Sequence, residues 1–198
     1  MRLDLIRHGD TGRAGYLDGR TDSPLTAGGW RQIEMQTSAK HWPLVVASPL
    51  SRTRLPAVAV AKKMSARLIV DPDWAELDFG FWEGRKRAEI EADASERDRL
   101  AAFYDNPLAH PAPNGEGWTD LEARVARALA RVMAEADGNP ALVLTHAGPM
   151  RAALSLSANV PLQSLWSFRI GYGARLTLDV ACDSGGKLWG ELVELAQP

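Results

Sequence analysis

Apolar residues gather in short runs that stop at polar or turn-forming steps. The run at 3–7 stops at His8-Gly9, that at 44–47 at Ser48-Pro49, that at 68–70 at Asp71-Pro72, and that at 141–145 at His146-Ala147-Gly148-Pro149. Short apolar runs bounded this way predict buried strands. Further strands are predicted at 167–170, 176–180 and 188–195, the last two joined by the turn Asp183-Ser184-Gly185-Gly186. Helical spacing fills the gaps. Thr26 caps a helix through Trp30, Ile33 and Met35. Leu55, Val58, Ala59, Ala61 and Lys62 predict a helix over about 51–64, starting near Arg52 so that Pro56 falls in the first turn, where its missing N–H is not needed. Leu121, Val125, Leu129 and Val132 form the stripe of a long helix, opened by a Thr119…Glu122 capping box and ended before Gly138-Asn139-Pro140. Pro149 suits the first turn of a last helix. Alternating strands and helices imply an open, mostly parallel α/β sheet, in which sites gather at the carboxyl ends of the strands.

The stretch at 74–117 departs from this rhythm. Aromatics and charges dominate it, with breaks at Asn106-Pro107 and across 111–115, so it reads as a lid-like insertion over one end of the sheet. A chain of 198 residues suits one domain spanning 1–198. The formal charge of −2, with both signs scattered, leaves no basic face for a nucleic-acid partner, so any anion must be held locally. Cys182 is the only cysteine, which rules out an internal disulfide, and it reads as a small core residue in a reducing compartment. Asp4 interrupts the first apolar run, so no signal-peptide core is visible, and no stretch approaches a membrane span. A soluble, cytoplasmic protein without a membrane partner is expected.

Three strand ends carry polar groups: Arg7-His8-Gly9, residues 48–52 with Arg52, and Thr145-His146-Ala147-Gly148. A parallel sheet brings such ends together. Two arginines and two histidines then surround one pocket, with helix N-termini adding backbone N–H groups, and phosphate is the natural ligand. Singly, each histidine would read as structural and each arginine as solvated; His41 and His110 stay in that class. No His-x-His or His-Glu-x-x-His spacing suggests a metal, and neither Gly28-Gly29 nor Gly185-Gly186 has the lysine of a nucleotide loop, so no metal or cofactor is expected.

The heptapeptide Leu5-Ile6-Arg7-His8-Gly9-Asp10-Thr11 resembles the signature of the histidine phosphatase superfamily, and the segments 47–54, 76–84 and 145–148 match that family in the same order. The resemblance implies a phosphoglycerate mutase-like fold, a three-layer sandwich about a mostly parallel sheet. It also implies roles. His8 would be the nucleophile, kept neutral by nearby positive charge; Arg7 and Arg52 would pair with phosphoryl oxygens through their forked guanidinium groups; His146 would donate to the same oxygens in the transition state. Glu76 matches the general acid, with Asp78, Glu83 and Glu116 as competing carboxylates otherwise read as solvating or capping groups. The family's asparagine near position 14 is replaced by Ala14, so Thr11, Arg13 or backbone N–H groups would substitute. Asp10 stands in place of the usual glutamate, a change expected to be tolerated. Ala147 is a further candidate substrate contact.

The mutase branch carries a Trp-Asn pair that is missing here, so hydrolysis is favoured. Residues 79–84 look most like the α-ribazole-5′-phosphate phosphatase branch of cobalamin biosynthesis. Such a substrate needs an apolar shelf, for which Phe81, Trp82, Phe103, Tyr104 and Trp118 are candidates, Trp82 foremost. The partner would be a small phosphomonoester, and the chain a monomer or homodimer. Alternatives are a broad-specificity small-molecule phosphatase, a cofactor-dependent phosphoglycerate mutase or, from another class, a non-catalytic phospho-ligand binding module.

Overall fold

A computed structural model describes residues 1–183, 185 and 187–198. Six strands, β1 (Arg2–Arg7), β2 (Leu44–Ala47), β3 (Arg67–Val70), β4 (Ala141–Thr145), β5 (Arg175–Cys182) and β6 (Leu188–Ala196), form one sheet in the order β3-β2-β4-β1-β5-β6. The first four are parallel to one another, β5 runs antiparallel to β1, and β6 runs antiparallel to β5. The helices are α1 (Ala27–Thr37), α2 (Ser51–Met64), α3 (Arg87–Ala92), α4 (Ala94–Asp105), α5 (Trp118–Ala136) and α6 (Ala147–Ala158).

Strand alternation sorts the core into two layers, because successive side chains leave opposite faces. Leu3, Leu5, Val46 and Val143 pack with Leu121, Val125, Leu129 and Leu154 of α5 and α6. Ile6, Val45, Leu142 and Leu144 pack with Ile33, Ala57 and Val60 of α1 and α2. The result is a helix–sheet–helix sandwich. Asp4 shares the face of Ile6 and is buried, which is tolerable because the Trp42 indole donates to it at 2.8 Å, Arg175 at 3.2 Å, and the Thr177 hydroxyl also binds it. Among the described residues no helix is long and apolar enough to cross a membrane.

Several expectations are corrected. Residues 167–170 form no strand: β5 already occupies the free side of β1, and the chain here turns across the end of β1, Gly173 N–H donating to the His8 carbonyl at 3.1 Å. Pro56 lies beyond the first turn of α2, which begins at Ser51; its ring is buried in the helix's inward face. Helix α5 begins at Trp118, itself buried, with Gly117 as its cap, so the Thr119…Glu122 capping box does not form. Cys182 ends β5 in an exposed position instead of the core. In the predicted turn after it, Ser184 and Gly186 lie outside the described residues. The other predicted strands and the Thr26 cap appear as expected, Thr26 accepting from Gly29 N–H at 3.0 Å.

Candidate active site

Register decides the site. Parallel pairing sets Arg7 opposite Thr145 and Ala47 opposite Leu144, so His8, His146 and Ser48 leave adjacent strands side by side. Backbone bonds continue past the strands, His8 N–H to the Thr145 carbonyl at 2.9 Å and Ser48 N–H to Leu144 at 3.0 Å. The two imidazole centroids are 5.2 Å apart.

Their hydrogen bonds fix what each ring presents. His8 Nδ1 lies 2.9 Å from the Gly9 carbonyl oxygen, which can only accept, so Nδ1 carries the proton and Nε2 bears a lone pair. His146 is fully buried, with Nε2 2.8 Å from Ser48 Oγ and Nδ1 without a protein partner among the described residues. If Ser48 donates to Nε2, Nδ1 holds a proton that an anion can accept.

Both imidazoles are held well below their usual pKa, first by burial and then by neighbouring positive charge: Arg7 and Arg52 act on His8, and Arg52, His8 and Arg7 on His146. Desolvation therefore outranks the guanidinium groups that the sequence singles out. A stability consequence follows from the sign. As pH falls below about 6.5, the unfolded chain binds these protons before the native one does, so native stability drops through the window between the unfolded and the depressed folded values. The expected slope is roughly 1 to 1.5 kcal/mol per pH unit for each histidine. Urea unfolding of the wild type and His8→Gln at pH 7.5, 6 and 5 measures it. Removing one histidine should flatten the pH dependence by about half.

The two arginines differ. Arg7 donates through Nη1 to the Ile170 carbonyl at 2.9 Å and stacks on Tyr172 at 4.2 Å, leaving Nε without a partner among the described residues. Arg52, 1% exposed, spends its terminal nitrogens on loop carbonyls: Nη1 on Thr21 at 2.5 Å, and Nη2 on Asp18 at 2.9 Å and Gly19 at 2.8 Å. Its Nε is buried and has no partner among the described residues. Arg52 is thus a clamp on the 18–21 loop as well as a site cation, and the free fork expected of it is largely occupied. Arg52→Lys keeps charge but loses both the loop bonds and the Nε donor, so kcat/KM for a phosphate ester should fall roughly tenfold to a hundredfold. Wild-type kinetics in that variant would remove Arg52 from the site.

Glu76 is 7% exposed and follows a short 3-10 turn, Pro72–Trp74, that crosses the end of β4, where the Thr145 hydroxyl donates to the Trp74 carbonyl at 2.7 Å. Its Oε1 accepts from Gly148 N–H at 3.0 Å and Leu77 N–H at 2.9 Å. A Cβ on Gly148 would collide with that oxygen, so glycine at the start of α6 makes room for the carboxylate. Arg124, on α5, holds the supporting backbone, donating to the carbonyls of Asp73 at 2.7 Å, Ala75 at 2.6 Å and Glu76 at 3.0 Å, with Glu116 as its counter-ion at 2.6 Å. The rival carboxylates are engaged elsewhere: Glu116 with Arg124, Asp78 with Gly80 N–H at 2.8 Å, and Glu83 with the backbone of Arg20, Thr21 and Phe79.

Arg7, His8, Thr11, Arg52, Glu76 and Ala147 line one cavity of about 550 Å³. Phe103, Tyr104 and Trp118 from the insertion line it too, whereas Phe81 is 70% exposed at the surface. Trp82 is a correction: it is fully buried, its indole donating to Glu96 at 2.7 Å and its ring edge-on to Phe103 in the core, away from the cavity. Ala14 is exposed, and Arg13 is tied to Asp18 at 2.6 Å, so of the suggested asparagine substitutes Thr11 is the side chain at the cavity. Asp10 links its loop to α1, accepting from the Thr26 hydroxyl at 3.1 Å. His41 and His110 are exposed and apart from the site. Sequence reasoning missed Tyr172, Trp166, Arg87 and Arg151, which line the same cavity from segments without a motif.

An adenosylcobalamin/alpha-ribazole phosphatase of Salmonella typhimurium is 31% identical over 185 residues, 91% of each chain. Phosphoserine phosphatase 1 of Hydrogenobacter thermophilus is 27% identical over 173 residues, 85% of this chain and 81% of the relative. The crystal structure of an alpha-ribazole phosphatase from Shigella flexneri superposes with a TM-score of 0.80 at 27% identity, covering 98% of this chain and 96% of its own. The family model described as histidine phosphatase superfamily (branch 1) matches residues 3–188, and the chain belongs to that superfamily and is a phosphatase.

Proposed function

We propose that the chain hydrolyses small phosphomonoesters through a phosphohistidine on His8 Nε2, with α-ribazole 5′-phosphate as its natural substrate. The observation that carries the chemistry is the orientation of His8: the Gly9 carbonyl takes the Nδ1 proton, and Nε2 keeps its lone pair in a cavity shared with Arg7, Arg52 and Glu76.

Nε2 attacks phosphorus in line with the ester oxygen; the N–P bond forms as the P–O ester bond breaks. Arg7, Arg52 and His146 Nδ1 balance the charge on the non-bridging oxygens, and Glu76 gives its proton to the departing alkoxide. Glu76, now a carboxylate, takes a proton from water as that water attacks phosphorus. The N–P bond breaks, returning the electron pair to Nε2 and releasing inorganic phosphate. Each step uses a group of this chain, so no metal or cofactor takes part. A nucleoside-like alcohol would lie against Phe103, Tyr104 and Trp118, which supports an aromatic substrate such as α-ribazole phosphate. Residues 74–117 would act as a lid over it. A charged ester does not cross membranes unaided, so the activity belongs in the cytoplasm with its substrate.

Alkaline quenching during turnover of p-nitrophenyl phosphate in chelator, followed by peptide mapping, tests the intermediate, with phosphate expected on His8. A panel of α-ribazole 5′-phosphate, 3-phosphoglycerate, phosphoserine and 2,3-bisphosphoglycerate tests the substrate, with the highest kcat/KM expected for the first. Turnover abolished by chelator, or phosphate bound with no turnover of any ester, would overturn the chemistry.

A further inference from the structure

Helix α5 turns a row of arginines towards the segment that carries Glu76. Arg124, Arg127 and Arg131 stand three and four residues apart, the spacing of one helical face, and all reach residues 71–76. The outer two hold side chains: Arg131 pairs with Asp71 at 2.9 Å and with Asp73 at 2.6 Å, and Arg127 with Asp73 at 3.2 Å. Both arginines are about half exposed, so water and salt weaken these pairs.

Arg124 differs in kind. It is buried, and every N–H of its guanidinium is spent on the two ends of the insertion. Nη1 donates to the carbonyls of Asp73 and Ala75, and Nη2 to that of Glu76, where the insertion begins. Where it ends, Glu116 accepts from Nε at 2.6 Å and from Nη2 at 2.8 Å. The same two ends are joined directly, Glu116 N–H donating to the Asp78 carbonyl and Phe81 N–H to the Pro113 carbonyl, both at 2.9 Å. Desolvation offsets much of the attraction in a buried pair, so its net effect on stability is small beside the geometry it fixes. What it fixes here is the backbone of the proposed acid. The Ala75 and Glu76 carbonyls face Arg124, while the Glu76 side chain reaches the cavity and accepts from Gly148 N–H.

We propose that Arg124 is a positioning residue for Glu76: bound to both ends of the insertion, it sets the carboxyl at the distance from the departing ester oxygen that proton transfer needs, without touching substrate itself. This rests on Glu76 as the proton donor. A misplacement of about 1 Å in such a group costs on the order of a hundredfold in rate, which sets the size of the effect.

Arg124→Lys keeps a charge beside Glu116 but not the fork, so kcat/KM for an alkyl ester such as glycerol 3-phosphate should fall about tenfold to a hundredfold. For p-nitrophenyl phosphate, whose leaving group needs no proton, the fall should be less than about threefold, and inorganic phosphate should bind as in wild type. Arg127→Ala, which loosens only the exposed pair, should stay within about twofold on both esters. The cycle with Glu76→Gln is the sharpest measurement: once the carboxyl proton is gone, Arg124→Lys should add less than about twofold. If Arg124→Lys does not fold, Glu116→Asp, which keeps both charges but shortens the reach, should give the same leaving-group pattern at reduced size. Equal losses on both esters, a loss that multiplies in full with that of Glu76→Gln, or the same loss in Arg127→Ala would overturn the positioning role. Glu76→Gln without leaving-group dependence defeats the assignment of the acid and this inference with it, whereas that dependence in Glu76→Gln and none in Arg124→Lys or Glu116→Asp defeats this inference alone.

Discussion

His8→Ala should lower kcat at least about 10⁴-fold for every phosphate ester, because the substitution removes the atom that forms the bond, not one that assists it. Residual binding should survive: Arg7 and Arg52 each keep a buried Nε without a partner among the described residues, and neither uses the His8 side chain for its own hydrogen bonds. The variant should therefore bind inorganic phosphate within a few-fold of wild type while trapping no phosphate in alkali. It should also fold, since the small residue relieves a buried imidazole whose one hydrogen bond is to its neighbour's carbonyl. Turnover above about one per cent of wild type would place the nucleophile elsewhere, because a loss below about a hundredfold is no more than removal of an assisting group produces.

Glu76→Gln comes next in size, with a loss of about 10² to 10⁴-fold in kcat for alkyl phosphates. Its diagnostic is dependence on the leaving group. An alkoxide needs the proton that Glu76 delivers, whereas p-nitrophenolate leaves without one, so the first chemical step should suffer far less with p-nitrophenyl phosphate. Gly148→Ala offers the same test without changing the carboxylate, since the added Cβ occupies the position of Glu76 Oε1 and must push it off the start of α6. Both variants should show one leaving-group pattern. Equal losses on alkyl and p-nitrophenyl esters in both would make Glu76 a binding group and send the search for the acid to Asp78 or Glu83, the latter already committed to the 18–21 loop.

Local signals were enough for the four parallel strands and the polar groups at their ends. Each of these strands is a short apolar run closed by a turn-former, and both histidines follow such runs directly, so their position at strand ends was legible before any coordinate. The Thr26 cap and the α5 stripe are equally local, one residue's side chain and one helical period. Where expectations failed, long-range competition decided. The apolar alternation around 167–170 is strand-like, but β5 takes the place beside β1. Trp82 and Phe103 both read as candidates for the shelf, and only packing sends the first into the core and the second to the cavity. Arg52 declares a charge but not its partners, and the carbonyls of a loop more than thirty residues away in sequence claim its fork.

The sequence by itself determined the class of chemistry, because the short motifs at 5–11, 47–54, 76–84 and 145–148 resemble those of a phosphatase family in the same order. Tertiary structure alone decided which nitrogen of His8 is free, which of four carboxylates reaches the cavity, and that Arg87, Arg151, Trp166 and Tyr172 surround it. Those facts depend on strand register and on side chains converging from distant segments, and no local pattern encodes a contact between residues that meet only after the chain has folded.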